Sequence, residues 1–183
     1  MLTQQRATID DLYNVPENGK AELVDGKLVR MSPTGSLPSL ASGEIYFSLR
    51  IYAKEHGGGH AFPDNMGFIV NLPRRESFSP DAAWYVGDVA TMKLLQGAPA
   101  FAAEVRSEND YGPKAERNIK QKIKDYFAAG TLVVWDVDLQ SANVITVHRA
   151  DNPDSPRVFR KDEIANAEPA IPGWRFAVSD LFL

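Results

Sequence analysis

The pattern of hydrophobic and polar positions along the chain predicts two long helices and a larger number of short strands. Apolar residues recur at helical spacing in residues 36–59, which end in a glycine triplet, and in residues 111–130, where Pro113 stands in the first turn. Short apolar runs bounded by turn residues predict strands within residues 20–33, 60–73, 82–86, 98–108 and 131–150. This order of elements indicates a mixed α/β or α+β domain.

The two ends of the chain add smaller elements to this picture. Thr8 is suited to cap a short helix over residues 9–14, which Pro16 would stop. The apolar residues among 168–183 are expected to dock on the body of the protein. Because the 183 residues contain no internal repeat and no long linker, we expect a single domain over residues 1–183.

Composition narrows the classes of function. The net charge of −4, from 20 basic and 24 acidic residues, argues against a generally basic surface, although a local basic groove stays open. No apolar run reaches the roughly 18–20 residues of a membrane span, and the N-terminus lacks the apolar core of a secretion signal, so a cytoplasmic protein is expected. The absence of cysteine excludes disulfides and thiolate zinc sites, and the three histidines are scattered without ligand-like spacing.

Two apolar strands each carry one acidic residue. Asp81 directly precedes the run 82–86, and of the three Pro-Asp pairs in the chain only this one heads an apolar strand. Glu104 lies inside the strand "FAAEVR", where a carboxylate is costly unless it is paired or binds a metal. Arg106 falls on the same face by alternation and could be its ion partner. Alternatively, adjacent strands would present Asp81 and Glu104 to a shared Mg²⁺ or Mn²⁺ ion, because such cations prefer oxygen ligands.

The helix predicted over residues 111–130 supplies a candidate cation. Lys122 lies about 60° around the helix from Ile119, on the flank of the apolar face, whereas Lys124 falls well outside that face. A solvated basic helix surface is one interpretation. In the other, Lys122 leans toward the carboxylates, where it could orient an attacking water or stabilise the charge of a phosphate.

Three segments, "SPDAAWYV", "FAAEVRSE" and "KIKDYFAAGTLVVWDV", contain the residues discussed above, and two more, "AELVDGKLVRMSPTG" and "IPGWRFAVSDLF", lie near the ends of the chain. Together they resemble the Uma-type family of putative restriction endonucleases, within the PD-(D/E)XK nuclease superfamily. The likeness covers most of the chain. It implies a restriction-endonuclease-like core, with a mixed β-sheet flanked by helices. It also implies Mg²⁺- or Mn²⁺-dependent hydrolysis of phosphodiester bonds in nucleic acid, with DNA as the expected substrate.

The resemblance also implies a role for individual residues. Asp81 and Glu104 stand at the acidic positions of the family motif and would be the metal ligands. Lys122 stands at the position of the family's lysine, and Glu22 matches a glutamate of its first hairpin that would support the site. Arg106 replaces the lysine usual in the superfamily; because arginine stays protonated it cannot act as a base, but it could hold a phosphate.

Three functions remain open from the sequence. The first is an endonuclease, expected as a homodimer because one site per copy requires two copies to cut both strands. The second is a catalytically inactive nuclease-fold module that binds nucleic acid or a partner. Pro38, at a place where many relatives carry histidine, and the acidic net charge favour this module. The third is a metal-dependent hydrolase of another phosphoester.

Overall fold

The structure of the protein, a computed structural model, describes residues 6–15 and 19–182. In these residues the α-helices are α1 (Ile9–Tyr13), α2 (Ser36–His56) and α3 (Pro113–Ala128), and a 3₁₀ helix spans Val178–Leu181. The strands are β1 (Ala21–Val24), β2 (Lys27–Arg30), β3 (His60–Pro63), β4 (Phe68–Ile69), β5 (Ser77–Phe78), β6 (Ala82–Tyr85), β7 (Leu95–Gln96), β8 (Phe101–Val105), β9 (Val133–Val137), β10 (Ile145–Arg149), β11 (Arg157–Phe159), β12 (Ile164–Asn166) and β13 (Arg175–Ala177).

A mixed six-stranded sheet in the order β11-β10-β9-β8-β6-β3 forms the centre of the fold. Strands β8 and β9 are parallel and are connected through α3, while the other neighbouring pairs are antiparallel. Three smaller sheets, β1-β2, β12-β13 and β5-β4-β7, surround it. The predicted mixed sheet flanked by helices is confirmed.

The two faces of the sheet bury two separate cores. Alternation along β8 sends Phe101, Ala103 and Val105 into a core that contains α2, the C-terminal segment and the stacked rings of Trp135 and Trp174. Ala102 points to the opposite face, where it packs with residues of α3 and of the β5-β4-β7 sheet. Because Glu104 shares the direction of Ala102, it projects toward α3 rather than toward α2.

Local signals in the sequence explain where several elements begin and end. Thr8 caps α1 through reciprocal hydrogen bonds with Asp11, as predicted; Pro16 lies outside the described residues. Asp25 and Gly26 both adopt positive φ, 50° and 68°, which is the hairpin turn expected between β1 and β2. α2 ends at Gly57, and α3 has Pro113 in its first turn and ends before Gly130.

Several short strands differ from expectation. β5 and β7 have two residues each, and β11, β12 and β13 have three, which is too short for a two-residue period to be recognised in the sequence. The C-terminal segment docks as expected, because Ile171, Trp174 and Leu181 are buried in the α2-side core. None of the helices in residues 6–15 and 19–182 is long and apolar enough to cross a bilayer.

Candidate active site

An open groove of about 760 Å³ lies where the β1-β2 hairpin, the C-terminal end of β8 and α3 come together. Both acidic and basic side chains line it, and these include Lys20, Glu22, Asp81, Glu104, Arg106 and Lys122. The six come from segments that are far apart in the chain. The groove therefore gathers all five site residues that the sequence singled out, together with one lysine that it did not.

Asp81 and Glu104 project from the same face of the central sheet. The register pairs Ala82 with Ala103, and the Asp81 amide donates to the Ala103 carbonyl at 3.0 Å, so the next step places Asp81 opposite Glu104. The Asp81 Oδ2 atom accepts the amide hydrogen of Val105 at 2.8 Å, which fixes the direction of the carboxylate. Opposed residues of an antiparallel pair share a face, so the two acids can act at a common point.

Lys122 and Tyr126, one turn apart on α3, both bond to Glu104. The Lys122 Nζ atom lies 2.7 Å from Oε2, and the Tyr126 hydroxyl donates to Oε1 at 2.6 Å. The Tyr126 ring is fully buried and stacks on Phe78 with 3.9 Å between centroids, which fixes this side of the helix. The predicted approach of Lys122 to the carboxylates is thus what the geometry shows.

Glu22 is the second carboxylate that contacts the Lys122 ammonium. Its Oε1 atom lies 2.9 Å from the lysine Nζ and accepts the Ser79 amide hydrogen at 2.9 Å. Its Oε2 atom accepts from Arg75 at 2.5 Å, and Arg75 also donates to Asp125 on α3. Because the Glu22 side chain is only 5% exposed and both of its oxygens have partners, its task in the wall of the groove is to position Lys122.

Lys20 is a basic residue of this site that the sequence did not reveal. Its Nζ atom lies 2.8 Å from Asp81 Oδ1 and 2.5 Å from Asp64 Oδ1. Lys20 directly precedes β1, and its carbonyl accepts the Met31 amide hydrogen at 2.9 Å, so the hairpin pairing continues to it. Alternation then gives Lys20 the direction of Glu22, which is the one signal in the sequence that could have pointed to it. Asp64, in the turn after β3, contributes its carboxylate to the same contact.

The pairing of Arg106 with Glu104 that alternation allowed is wrong. Arg106 donates two hydrogen bonds to Asp136, at 2.8 and 2.7 Å, and also contacts Glu116. The cause is the parallel register of β8 and β9, which places Asp136 directly beside Glu104 on the same face. Arg106, two residues after Glu104, therefore reaches the Asp136 carboxylate. Its planar guanidinium group donates to both carboxylate oxygens, which is the bidentate geometry that arginine favours.

The charges at the site act on one another strongly. The pKa of the Glu104 carboxyl is raised above its usual value, chiefly by burial. The Lys122 ammonium acts to lower this pKa, whereas the negative charges of Asp81 and Glu22 act to raise it. Burial alone would lower the pKa of Lys122, but the carboxylates of Glu104 and Glu22 outweigh it and hold the pKa above normal. Lys122 therefore stays charged at neutral pH and cannot serve as a base in this state.

The oxygen donors suit a hard divalent cation, although they do not form a closed cage. The described residues contain no group of three or more His, Cys, Asp or Glu side chains placed to hold a metal ion. Mg²⁺ in proteins commonly takes one or two carboxylates and completes its coordination with water and substrate phosphate. Asp81 and Glu104 match that donor set, and the Lys20 ammonium at Asp81 shows that a cation is accommodated there.

Pro38 lies in the first turn of α2 and is not among the residues that line the groove. The sequence also missed Arg75 and Tyr126 as site residues. The Tyr126 ring packs in the apolar core on the α3 face of the sheet, as an apolar helix position would, while its hydroxyl reaches Glu104. Arg75 follows a turn and carries no sequence pattern that distinguishes it from a surface arginine.

Comparison with known proteins agrees with this architecture. The sequence model of the Uma2 family, described as "Putative restriction endonuclease", matches residues 7–179. The chain belongs to this family. A crystal structure of a putative nuclease belonging to DUF820 from Anabaena variabilis ATCC 29413 superposes with a TM-score of 0.75 at 19% identity, and the match covers 96% of this chain and 97% of that one. No curated protein matches. The resemblance and the restriction-endonuclease-like fold predicted from the sequence are confirmed for this Uma2 member.

Proposed function

We propose that this Uma2 protein is a single-domain, Mg²⁺- or Mn²⁺-dependent endonuclease that hydrolyses phosphodiester bonds of DNA. The observation that supports this most directly is the convergence of Asp81 and Glu104 on one sheet face, with Lys122 bonded to Glu104 at 2.7 Å. Two carboxylates can hold a divalent cation that polarises a phosphate and activates water, and a nearby ammonium can stabilise the developing negative charge.

In this proposal each side chain has a separate task. Asp81 and Glu104 would hold the metal. A bound divalent cation polarises the phosphate and lowers the pKa of water, so that a nucleophile is available near neutral pH. Lys122 orients the attacking water and stabilises the negative charge that develops on the phosphate. Glu22 and Tyr126 keep Lys122 and Glu104 in place, so both are positioning residues.

The rim of the groove suits a phosphate backbone. Lys114, in the first turn of α3, is exposed, and the amide side chains of Asn109 and Asn118 line the same groove. Arg106 is not free for this task, because Asp136 and Glu116 already occupy its guanidinium. We therefore assign phosphate contact to the rim rather than to Arg106, and expect the binding to weaken steeply with salt.

The test is cleavage of plasmid, linear duplex, single-stranded DNA and RNA with Mg²⁺ or Mn²⁺. Wild-type protein should cleave DNA, EDTA should abolish the activity, and Asp81→Asn and Glu104→Gln should each lower the rate at least about a hundredfold. Asp151→Asn, which removes a carboxylate from an exposed turn, is the matched control. Cleavage that survives in Asp81→Asn, or that persists in EDTA, would contradict the assignment.

A binding module without cleavage is the second candidate, and one observation favours it. Every carboxylate oxygen of Asp81 and Glu104 already has a hydrogen-bond partner within the protein, as in a structural charge network. DNA binding measured by fluorescence anisotropy, without cleavage under any metal, would select this module. Cleavage of bis(p-nitrophenyl) phosphate with no action on nucleic acid would instead select a hydrolase of another phosphoester.

The expected homodimer also remains a proposal, and α2 offers a surface for it. An exposed apolar stripe runs along this helix and consists of Leu37, Leu40, Phe47 and Ile51, each 41–59% exposed. Glu44 and Arg50 stand three residues to either side of Phe47, so an antiparallel pairing of two α2 helices about Phe47 would place each Glu44 opposite the partner's Arg50.

Light scattering coupled to size exclusion tests this surface. Wild type should be dimeric and Phe47→Glu monomeric, whereas Val158→Glu, at an exposed position on β11, should leave the dimer intact. A monomeric wild type would exclude the dimer. Because α2 and α3 pack on opposite faces of the sheet, the two sites of such a dimer would lie away from the interface. This dimer would therefore not bring both sites to one duplex, so its support is the exposed stripe on α2 and not the need to cut both strands.

A further inference from the structure

Lys20 has contacts that set it apart from a surface lysine. Its side chain is 14% exposed, and its ammonium lies between the Asp81 carboxylate at 2.8 Å and the Asp64 carboxylate at 2.5 Å. It bonds to the Asp81 oxygen that faces away from the Val105 amide, which is the oxygen left available to a metal ion. A lysine ammonium and a metal ion cannot both occupy that position.

The charges around Lys20 lead to competition at a single oxygen. Among the described residues, the ion-paired network contains five carboxylates and three cations, namely Glu22, Asp64, Asp81, Glu104 and Asp125 with Lys20, Arg75 and Lys122. This excess of negative charge attracts a divalent cation, but the Lys20 ammonium already occupies Asp81 Oδ1 and would repel a second cation at the same oxygen. Movement of that ammonium outward removes this repulsion.

Asp64 provides a place for such a movement. It sits at a turn after β3, is 41% exposed, and already accepts a hydrogen bond from Lys20. Lysine is a point charge on a flexible stem, so it can give up one partner while it keeps the other. Lys122, by contrast, is bonded to Glu22 and Glu104, whose side chains are 5% and 22% exposed, and it has no more exposed alternative in these contacts.

We propose that Lys20 is a built-in cation that competes with the divalent metal for Asp81 and withdraws to Asp64 when the metal binds. This inference rests on the proposed function of the site. It assigns Lys20 and Asp64 as positioning residues that set the affinity for metal, rather than as ligands or catalytic groups.

The experiment measures Mn²⁺ binding by calorimetry and by electron paramagnetic resonance of the free ion, without substrate. Lys20→Met, which keeps the length but removes the charge, should bind Mn²⁺ about tenfold more tightly than wild type, since one competing buried charge is gone. Lys20→Arg should not show this gain. Lys124→Met removes an exposed charge from α3 and is the matched control, with unchanged affinity expected.

A double-mutant cycle distinguishes the role of Asp64 from that of a metal ligand. Asp64→Asn should weaken Mn²⁺ binding in the wild-type background, because Lys20 loses the carboxylate to which it withdraws. The same substitution should have no effect in the Lys20→Met background. Equal weakening in both backgrounds would make Asp64 a ligand and would overturn the proposed withdrawal.

The outcomes separate this inference from the function on which it rests. If wild type binds Mn²⁺ through Asp81 but Lys20→Met binds it equally or less tightly, competition by Lys20 is refuted and the metal site stands. If neither protein binds Mn²⁺ while both unfold cooperatively, both proposals fail. If only Lys20→Met binds Mn²⁺, Lys20 is confirmed as the competing cation, and the cleavage assay then decides between a nuclease and a binding module.

Discussion

Replacement of Lys122 by methionine is the perturbation that tests the site electrostatics most sharply. The lysine ammonium contacts Glu104 at 2.7 Å and Glu22 at 2.9 Å, and its side chain is 18% exposed. Methionine keeps most of the volume and removes the charge. Glu104 then keeps its bond to the Tyr126 hydroxyl but loses its lysine, whereas Glu22 keeps Arg75.

The expected cost follows from the burial of that pair. Removal of one member of a buried ion pair typically destabilises a protein by about 3–5 kcal/mol. Because Lys122 is partly exposed, we take the lower end of that range, about 3 kcal/mol, which corresponds to a fall in Tm of roughly 6–12 °C for a chain of this size.

The loss of stability in Lys122→Met should depend on pH in a defined direction. Without Lys122, the folded-state pKa of Glu104 rises further above that of the unfolded chain, so the folded state binds the proton more readily. A carboxyl group whose pKa is raised in the folded state must lose its proton as pH increases through that pKa, and the folded state then becomes less stable relative to the unfolded state. The deficit relative to wild type should therefore be largest near pH 8 and smaller near pH 5.

Urea unfolding at several pH values measures this deficit. Lys124→Met, on the exposed side of the same helix, should change the free energy of unfolding by less than about 0.5 kcal/mol. Glu104→Gln added to Lys122→Met should recover part of the loss, since the uncompensated carboxylate is gone. A Lys122→Met protein that is as stable as wild type at pH 8, or whose deficit is the same at every pH, would refute the reasoning.

Three further predictions concern residues outside the proposed metal site. Arg106→Lys, which cannot reproduce the bidentate contact to Asp136, should lower the free energy of unfolding by about 1.5–3 kcal/mol in urea; an unchanged midpoint would exclude a structural role for the pair. Trp135→Ala, at a fully buried ring stacked on Trp174, should cost about 3–5 kcal/mol by the same assay, and a cost below about 1 kcal/mol would contradict the core assignment. Burial lowers the pKa of His148 against the opposing effect of Asp136, so the folded state binds fewer protons and stability should fall as pH drops through about 6.5. His148→Gln should flatten that part of the stability profile, and an identical slope in the variant and in wild type would count against this effect of His148.

Elements long enough to show a period could be predicted from the sequence, and the shortest strands could not. α2 and α3 display helical spacing over four or more turns, whereas β12 and β13 have only three residues each and pair across a long connection. The direction of Glu104 followed correctly from alternation along β8, because that direction depends on the strand alone.

Partners of the site residues were harder to predict, because they depend on register between distant segments. Arg106 was a reasonable partner for Glu104 until the β8-β9 register brought Asp136 beside it. Lys20 reaches Asp81 across 61 residues, and no local pattern encodes that contact. The single-domain prediction and the metal-binding roles of Asp81 and Glu104 stay predictions.

The most direct test of the central claim is the position of a metal ion in crystals soaked with Mn²⁺, located by anomalous scattering. If the site is a divalent-metal nuclease centre, one peak should lie within roughly 2.5 Å of a carboxylate oxygen of both Asp81 and Glu104, and it should disappear in Asp81→Asn. Well-ordered crystals at saturating Mn²⁺ with no peak at these two carboxylates, or with a peak that Asp81→Asn leaves in place, would contradict the account.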